Sequence, residues 1–97
     1  MDIEYNSGMI QLQIPNAYRS YTAASEALLE GETVGDAFAD LLHQHPALRP
    51  HVLSPNGQLR PFINLFVNGE NIKALQGMET ALKTGDSLRM VASIAGG

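Results

Sequence analysis

The segment Phe62-Ile63-Asn64-Leu65-Phe66-Val67-Asn68-Gly69 constrains the fold more than any other part of the chain. Its first six residues have high β-propensity and place large apolar groups on both faces of a strand. Ile63, Leu65 and Val67 stand on one face, and Phe62, Asn64 and Phe66 on the other. Asn-Gly is the preferred pair for a type I′ hairpin turn, so a strand is expected to return through Glu70 to Ile72. A strand apolar on both sides needs another layer against at least one of them.

One segment has the right period to supply that layer. Val34, Phe38, Leu41 and Leu42 fall on a single helical stripe. Thr33 suits the N-cap, Asp36 places a carboxylate in the first turn, and Pro46 stops the helix near His45. Ahead of it, Ile10, Leu12 and Ile14 alternate with Gln11 and Gln13, which predicts a half-buried strand ended by Pro15-Asn16. Tyr18 to Thr22 reads as a polar loop. Ser25 to Glu30 reads as a second extended run with Ala27 and Leu29 on one face, closed by Gly31.

Beyond the helix, Pro46 to Pro50 suits a short extra turn over Leu48, Val52 and Leu53. Ser54-Pro55-Asn56-Gly57 signals a turn. Gln76 to Lys83 has room for one helical turn around Met78, Ala81 and Leu82, and Thr84-Gly85-Asp86 is another turn. The last strand alternates Leu88, Met90 and Ala92 with Arg89, Val91 and Ser93. The order strand, strand, helix, strand, short strand, strand predicts an α+β layer pair, one mixed sheet with its main helix on one side. At 97 residues the chain is expected to form one domain over 1–97, with 1–7 a frayed terminus.

Composition narrows the function. With no cysteine, there is no disulfide scaffold, thiolate metal site or cysteine nucleophile. No apolar run exceeds three residues, so neither a membrane span nor a signal core is expected, and the chain reads as cytoplasmic. Six Lys and Arg against ten Asp and Glu give a net charge of −4, the wrong sign for a nucleic-acid binder, and on average favour a basic protein partner. The chain has no phosphate-binding glycine loop and no nucleophile-elbow serine. His43 and His45 point apart on a helix and His51 stands alone, so no metal site is expected. Glu30 and Glu32 flank a turn, where solvation is their ordinary role. Side-chain catalysis has almost no candidates here.

Two features remain. If the helix covers the aliphatic face of Phe62–Val67, then Phe62 and Phe66 lie with Arg89 and Val91 on an open sheet surface that would bind a partner. The alternative is that these aromatics form a minor cluster under the Pro46–Pro61 connection. The second feature is the ending Ile94-Ala95-Gly96-Gly97, a tail without bulky side chains immediately after a strand. A terminal carboxylate becomes an electrophile once activated, for instance as an acyl adenylate, and such a species must be shielded from water. Glycine lets a tail enter a narrow channel in any backbone conformation. Gly97 would then be the reacting residue, through its main-chain carboxylate.

The stretch from Phe62 to Glu70, the turn Thr84-Gly85-Asp86-Ser87-Leu88 and the ending Ile94-Ala95-Gly96-Gly97 together resemble the MoaD/ThiS family of ubiquitin-like sulfur carriers. The resemblance extends back through Gly31-Glu32-Thr33-Val34-Gly35 to Ile14-Pro15 and covers nearly everything after Ser7. Length and the approach Leu59-Arg60-Pro61-Phe62 are most similar to the cysteine-biosynthesis (CysO-like) subgroup. The resemblance implies a β-grasp fold whose Gly97 is adenylated by a MoeB/ThiF-like enzyme and converted to a thiocarboxylate. A sulfur donor protein and a downstream sulfur-accepting synthase are the implied further partners. ATP and metal would belong to the activating enzyme, so no bound cofactor is expected, and residues 95–97 would be a flexible reactive tail. Ile94 stands where valine is commoner in the family. Nothing follows Gly97, so no proteolytic exposure is expected. Alternatives are the small subunit of a molybdopterin synthase, a protein modifier conjugated through Gly97, and an interaction domain with incidental glycines.

Overall fold

The structure, a computed structural model, describes residues 9–93. Five strands, β1 (Met9–Gln13), β2 (Glu26–Glu30), β3 (Ile63–Val67), β4 (Glu70–Asn71) and β5 (Ser87–Ala92), form one sheet in the order β2-β1-β5-β3-β4. Neighbours are antiparallel except β1 and β5, which run parallel with Leu12 opposite Leu88. Of the three α-helices among the described residues, α1 (Arg19–Thr22), α2 (Val34–Gln44) and α3 (Arg49–Val52), only α2 is long enough to cover the sheet. This mixed sheet on one main helix is the β-grasp, ubiquitin-like arrangement.

The core forms where the two sequence periods meet. Ile10, Leu12, Leu29, Ile63, Leu65, Leu88 and Met90 from the sheet and Val34, Ala37, Phe38 and Leu41 from α2 are each at most 3% exposed. The helix begins as expected, with the Thr33 hydroxyl accepting the backbone N–H of Asp36 at 3.1 Å. Its start is tied to the segment before β5: Val34 N–H donates to Thr80 O at 3.0 Å, and Leu82 N–H to Glu32 O at 2.9 Å. Gly31 lets β2 turn into α2. A Cβ there would lie 2.5 Å from the nitrogen of Ala37, closer than any side chain tolerates.

The hairpin after β3 has Asn68 at φ 49° and Gly69 at φ 90°, both left-handed as a type I′ turn requires. Its return strand stops at Asn71, one residue short of the expected Ile72, because the chain enters a 3₁₀ turn at Ile72–Ala74. The turn expected near Met78 is a 3₁₀ turn at Gly77–Glu79; Leu82 is buried, but Ala81 is exposed. Pro46–Leu48 forms a 3₁₀ turn leading into α3, burying Leu48 and Val52. The segment Tyr18 to Thr22 is not a loop. A 3₁₀ turn at Asn16–Tyr18 runs into α1, and Tyr18 and Thr22, four residues apart, face inward.

Candidate functional site

The sheet face opposite α2 carries the side chains out of phase with the core. Phe66 is the cross-strand partner of Arg89, which also sits opposite Gln13 of β1. Val91 stands opposite Asn64, whose side-chain carbonyl accepts a hydrogen bond from Asn71 Nδ2 at 3.3 Å. Phe66 and Val91 are half-buried and Arg89 is exposed. Leu28, opposite Gln11, adds a large apolar side chain that is 58% exposed. Sequence reasoning missed Leu28, although assigning Ala27 and Leu29 to the core leaves it no other face.

Phe62 is placed differently from Phe66. It is partly buried against the core and lines a hollow of about 400 Å³ with Tyr18, Tyr21, Pro50, His51 and Arg60. Tyr21 and His51 stack there with ring centroids 4.0 Å apart and planes 23° from parallel. Burial pushes the Tyr18 hydroxyl above the usual tyrosine pKa, neighbouring Tyr21 adds to this, and the Arg60 guanidinium opposes it. The two aromatics expected on one surface are therefore divided. Phe66 belongs to the open face, while Phe62 belongs to the cluster between the β3 entry and the connection that follows α2. The reason is α1 and α3, whose Tyr21 and His51 stack at the end of the sheet; neither helix is legible from periodicity.

β5, between β1 and β3, is the central strand of the sheet. One residue beyond its end, the N–H of exposed Ser93 donates to Phe62 O at 2.9 Å and extends the β3 ladder. The expected tail residues Ile94, Ala95, Gly96 and Gly97 lie outside the described residues, as do 1–7. Among the described residues, no cluster of three or more His, Asp or Glu side chains suits a metal ion, and no helix is long and apolar enough to cross a membrane.

Residues 12–97 match the ThiS family. The sulfur carrier protein CysO of Mycobacterium tuberculosis is 29% identical over 91 residues, covering 91% of this chain and 98% of its own length. The solution structure of small archaeal modifier protein 1 from Methanosarcina acetivorans superposes with a TM-score of 0.85 at 28% identity, covering 94% of this chain and 98% of its own. A chain of the Amycolatopsis orientalis BexX/CysO complex gives a TM-score of 0.81 at 28% identity, covering 91% and 99%. A mixed sheet carrying its last strand at the centre and a family match from residue 12 to residue 97 agree: the chain belongs to the ThiS family of ubiquitin-like sulfur carriers.

Proposed function

We propose that this protein carries sulfur as a thiocarboxylate on Gly97 and does no catalysis by itself. Its carboxylate would attack the α-phosphate of ATP on a MoeB/ThiF-like enzyme, giving an acyl adenylate and releasing pyrophosphate. Sulfide, free or released from a donor protein's persulfide by a thiol reductant, would then displace AMP and leave a terminal –COS⁻. A biosynthetic synthase would take up that sulfur, with cysteine formation the acceptor pathway suggested by similarity to CysO. The open-face residues Phe66, Arg89 and Val91 would dock the activating enzyme, with Phe62 at the rim. Ile94, Ala95 and Gly96 would carry Gly97 into the enzyme.

The observation that carries this reading is the continuity of Ser93, Ile94, Ala95, Gly96 and Gly97 with the central strand β5. A tail rooted at the centre of a sheet has a well-defined origin, and its glycines add no side chains that a narrow channel would exclude. Similarity to the small archaeal modifier protein supports a second reading, conjugation of the same carboxylate to lysines.

Intact mass tests both. After incubation with the cognate adenylating enzyme, ATP and sulfide, the parent is expected to gain the mass of one oxygen-for-sulfur exchange. Gly97→Val and deletion of Gly97 are expected to gain none while melting like the parent. Deletion leaves the carboxylate about 3.6 Å short, and valine brings a branched side chain into the channel. Absence of the gain from the parent, with isopeptide-linked species instead, would favour the modifier.

A further inference from the structure

The chain averages to a net charge of −4, yet its arginines are not distributed as that average implies. Arg19, Arg49 and Arg60 lie around the end of the molecule where β5 finishes, and Arg89, in mid-strand on β5, lines a hollow there with Arg19 and Ala92. Arg19 opens α1 just after β1 ends, Arg60 precedes β3, and Arg49 opens α3. Three hollows at that end are lined by them: about 280 Å³ beside Arg19 and Arg89, about 400 Å³ beside Arg60, and about 220 Å³ between Arg49 and Arg60. The last two share Pro50 and Arg60, and the first two meet at the turn from Asn16 to Arg19. Among the described residues, no Asp or Glu lines any of the three.

Both lysines are elsewhere. Lys73 follows β4, and Lys83 lies in the turn before β5 with Asp86. Glu30, Glu70 and Asp86 are also at that opposite end of the sheet. Glu26, at the start of β2 and opposite Gln13, is an acidic residue at the arginine end, where Gln11 of the neighbouring strand donates to it.

Two of the arginines are held in place by neutral acceptors. Arg60 donates from Nε and Nη2 to the Pro50 carbonyl at 3.1 and 2.9 Å. Arg19 donates from Nε to Ile14 O at 3.2 Å and from Nη1 to Asn16 Oδ1 at 3.3 Å. These bonds fix the guanidinium forks without neutralising them, so part of the ordering entropy of a contact is already spent. The surface is an arc of oriented positive charge with exposed aromatic edges from Tyr21, set around Ser93.

We propose that this arc docks a carboxylate-rich loop of the protein that receives the tail. The proposal rests on the carrier reading for the identity of that protein, and on charge complementarity for the chemistry of the loop. A guanidinium fork matches a carboxylate bidentately, and a cluster of one sign steers encounter from a distance. The sign is opposite to that inferred from net charge, because the arginines gather here while Glu30, Glu70 and Asp86 lie at the other end.

The test measures association with the cognate adenylating enzyme, without ATP, at low and high salt. Arg19→Gln/Arg60→Gln is expected to weaken binding roughly tenfold at low salt and to flatten its salt dependence. Arg89→Gln, which removes none of the four tethering bonds above, is expected to weaken it in the same direction and guards against misfolding of the double variant. Lys73→Gln/Lys83→Gln is expected to bind like the parent. Equal losses in the lysine and arginine variants, or no loss in Arg89→Gln and the arginine pair, would overturn the proposal. So would binding of a single-stranded oligonucleotide that disappears in the arginine variants. Because no chemistry is read, failure of the thiocarboxylate reading would show in the mass assay and leave this measurement interpretable.

Discussion

Asp40, in the middle of α2, accepts the backbone N–H of Glu30 in β2 at 2.9 Å. Gln44, one turn on, donates its amide to Leu28 O and to the same Asp40 carboxylate, each at 3.0 Å. β2 is an edge strand, and Ile14 N–H donating to Ser25 O sets its phase: alternate residues Ala27 and Leu29 bond to β1, while Leu28 and Glu30 turn their peptide groups outward. Two helix side chains thus occupy groups that a sixth strand would use.

Removing that cover should expose a pairing edge. Asp40→Ala/Gln44→Ala is expected to cost about 1–2 kcal/mol of stability, from three lost hydrogen bonds. It should also promote concentration-dependent self-association, seen by size exclusion with light scattering, and faster amide exchange at Glu30. A variant that stays monomeric at millimolar concentration would show that the helix side chains do not guard the edge.

Gly31→Ala tests the close approach of β2 to α2. The added methyl would meet the Ala37 nitrogen at 2.5 Å and the Asp36 carbonyl carbon at 2.9 Å, so the helix start must shift. A loss of about 2 kcal/mol or more is expected, in the range typical of overpacking. Chemical denaturation measures it, and a midpoint within error of the parent would show that the helix moves freely.

The turn before β5 should make stability depend on pH. Asp86 accepts the Lys83 N–H at 2.8 Å and the Asn68 side-chain amide at 3.1 Å. The backbone bond first, then the amide and the Lys83 charge, hold its carboxyl below the usual aspartate pKa. A lowered folded-state pKa stabilises fully above the unfolded value of about 3.9 and is lost as pH falls through the folded one. Asp86→Ala should therefore melt several degrees below the parent at neutral pH, with the gap narrowing below about pH 4. A gap of constant width across that range would contradict the assignment.

Phe66 and Phe62 should separate in mutation. Phe66→Ala is expected to weaken association with the adenylating enzyme by about 1 kcal/mol or more while leaving the fold intact. Phe62→Ala, which removes a ring packed against the core, should lower the melting temperature. Calorimetric binding and thermal melts on both variants decide this, and a stability loss confined to Phe66→Ala would remove Phe66 from the docking face.

Periodic features were legible before any coordinates. The stripe Val34-Phe38-Leu41-Leu42, the alternation through Ile10 and Leu12, and the Asn68-Gly69 turn are each determined by neighbours in sequence. The one-turn helix α1 was hidden because four residues are too few to display a period, and Arg19, Ser20 and Tyr21 between buried Tyr18 and Thr22 look like a loop. Phe62 could be phased with Phe66 but not assigned its surroundings, a hollow it lines with Tyr18, 44 residues earlier in the chain, and His51. The arginine arc was invisible for the same reason. Positions 19 and 89 converge only once β1 and β5 run side by side, and Arg60 reaches the Arg49–Pro50 segment through its bonds to the Pro50 carbonyl.

That parallel pairing also bears on mechanics. β5 is bonded along one side to β1 and along the other to β3. A pull on the residues after Ser93 acts along the strand axis and loads both ladders in shear, so many hydrogen bonds resist together instead of unzipping one by one. A partner that grips and draws the C-terminal residues would therefore move the protein as one body.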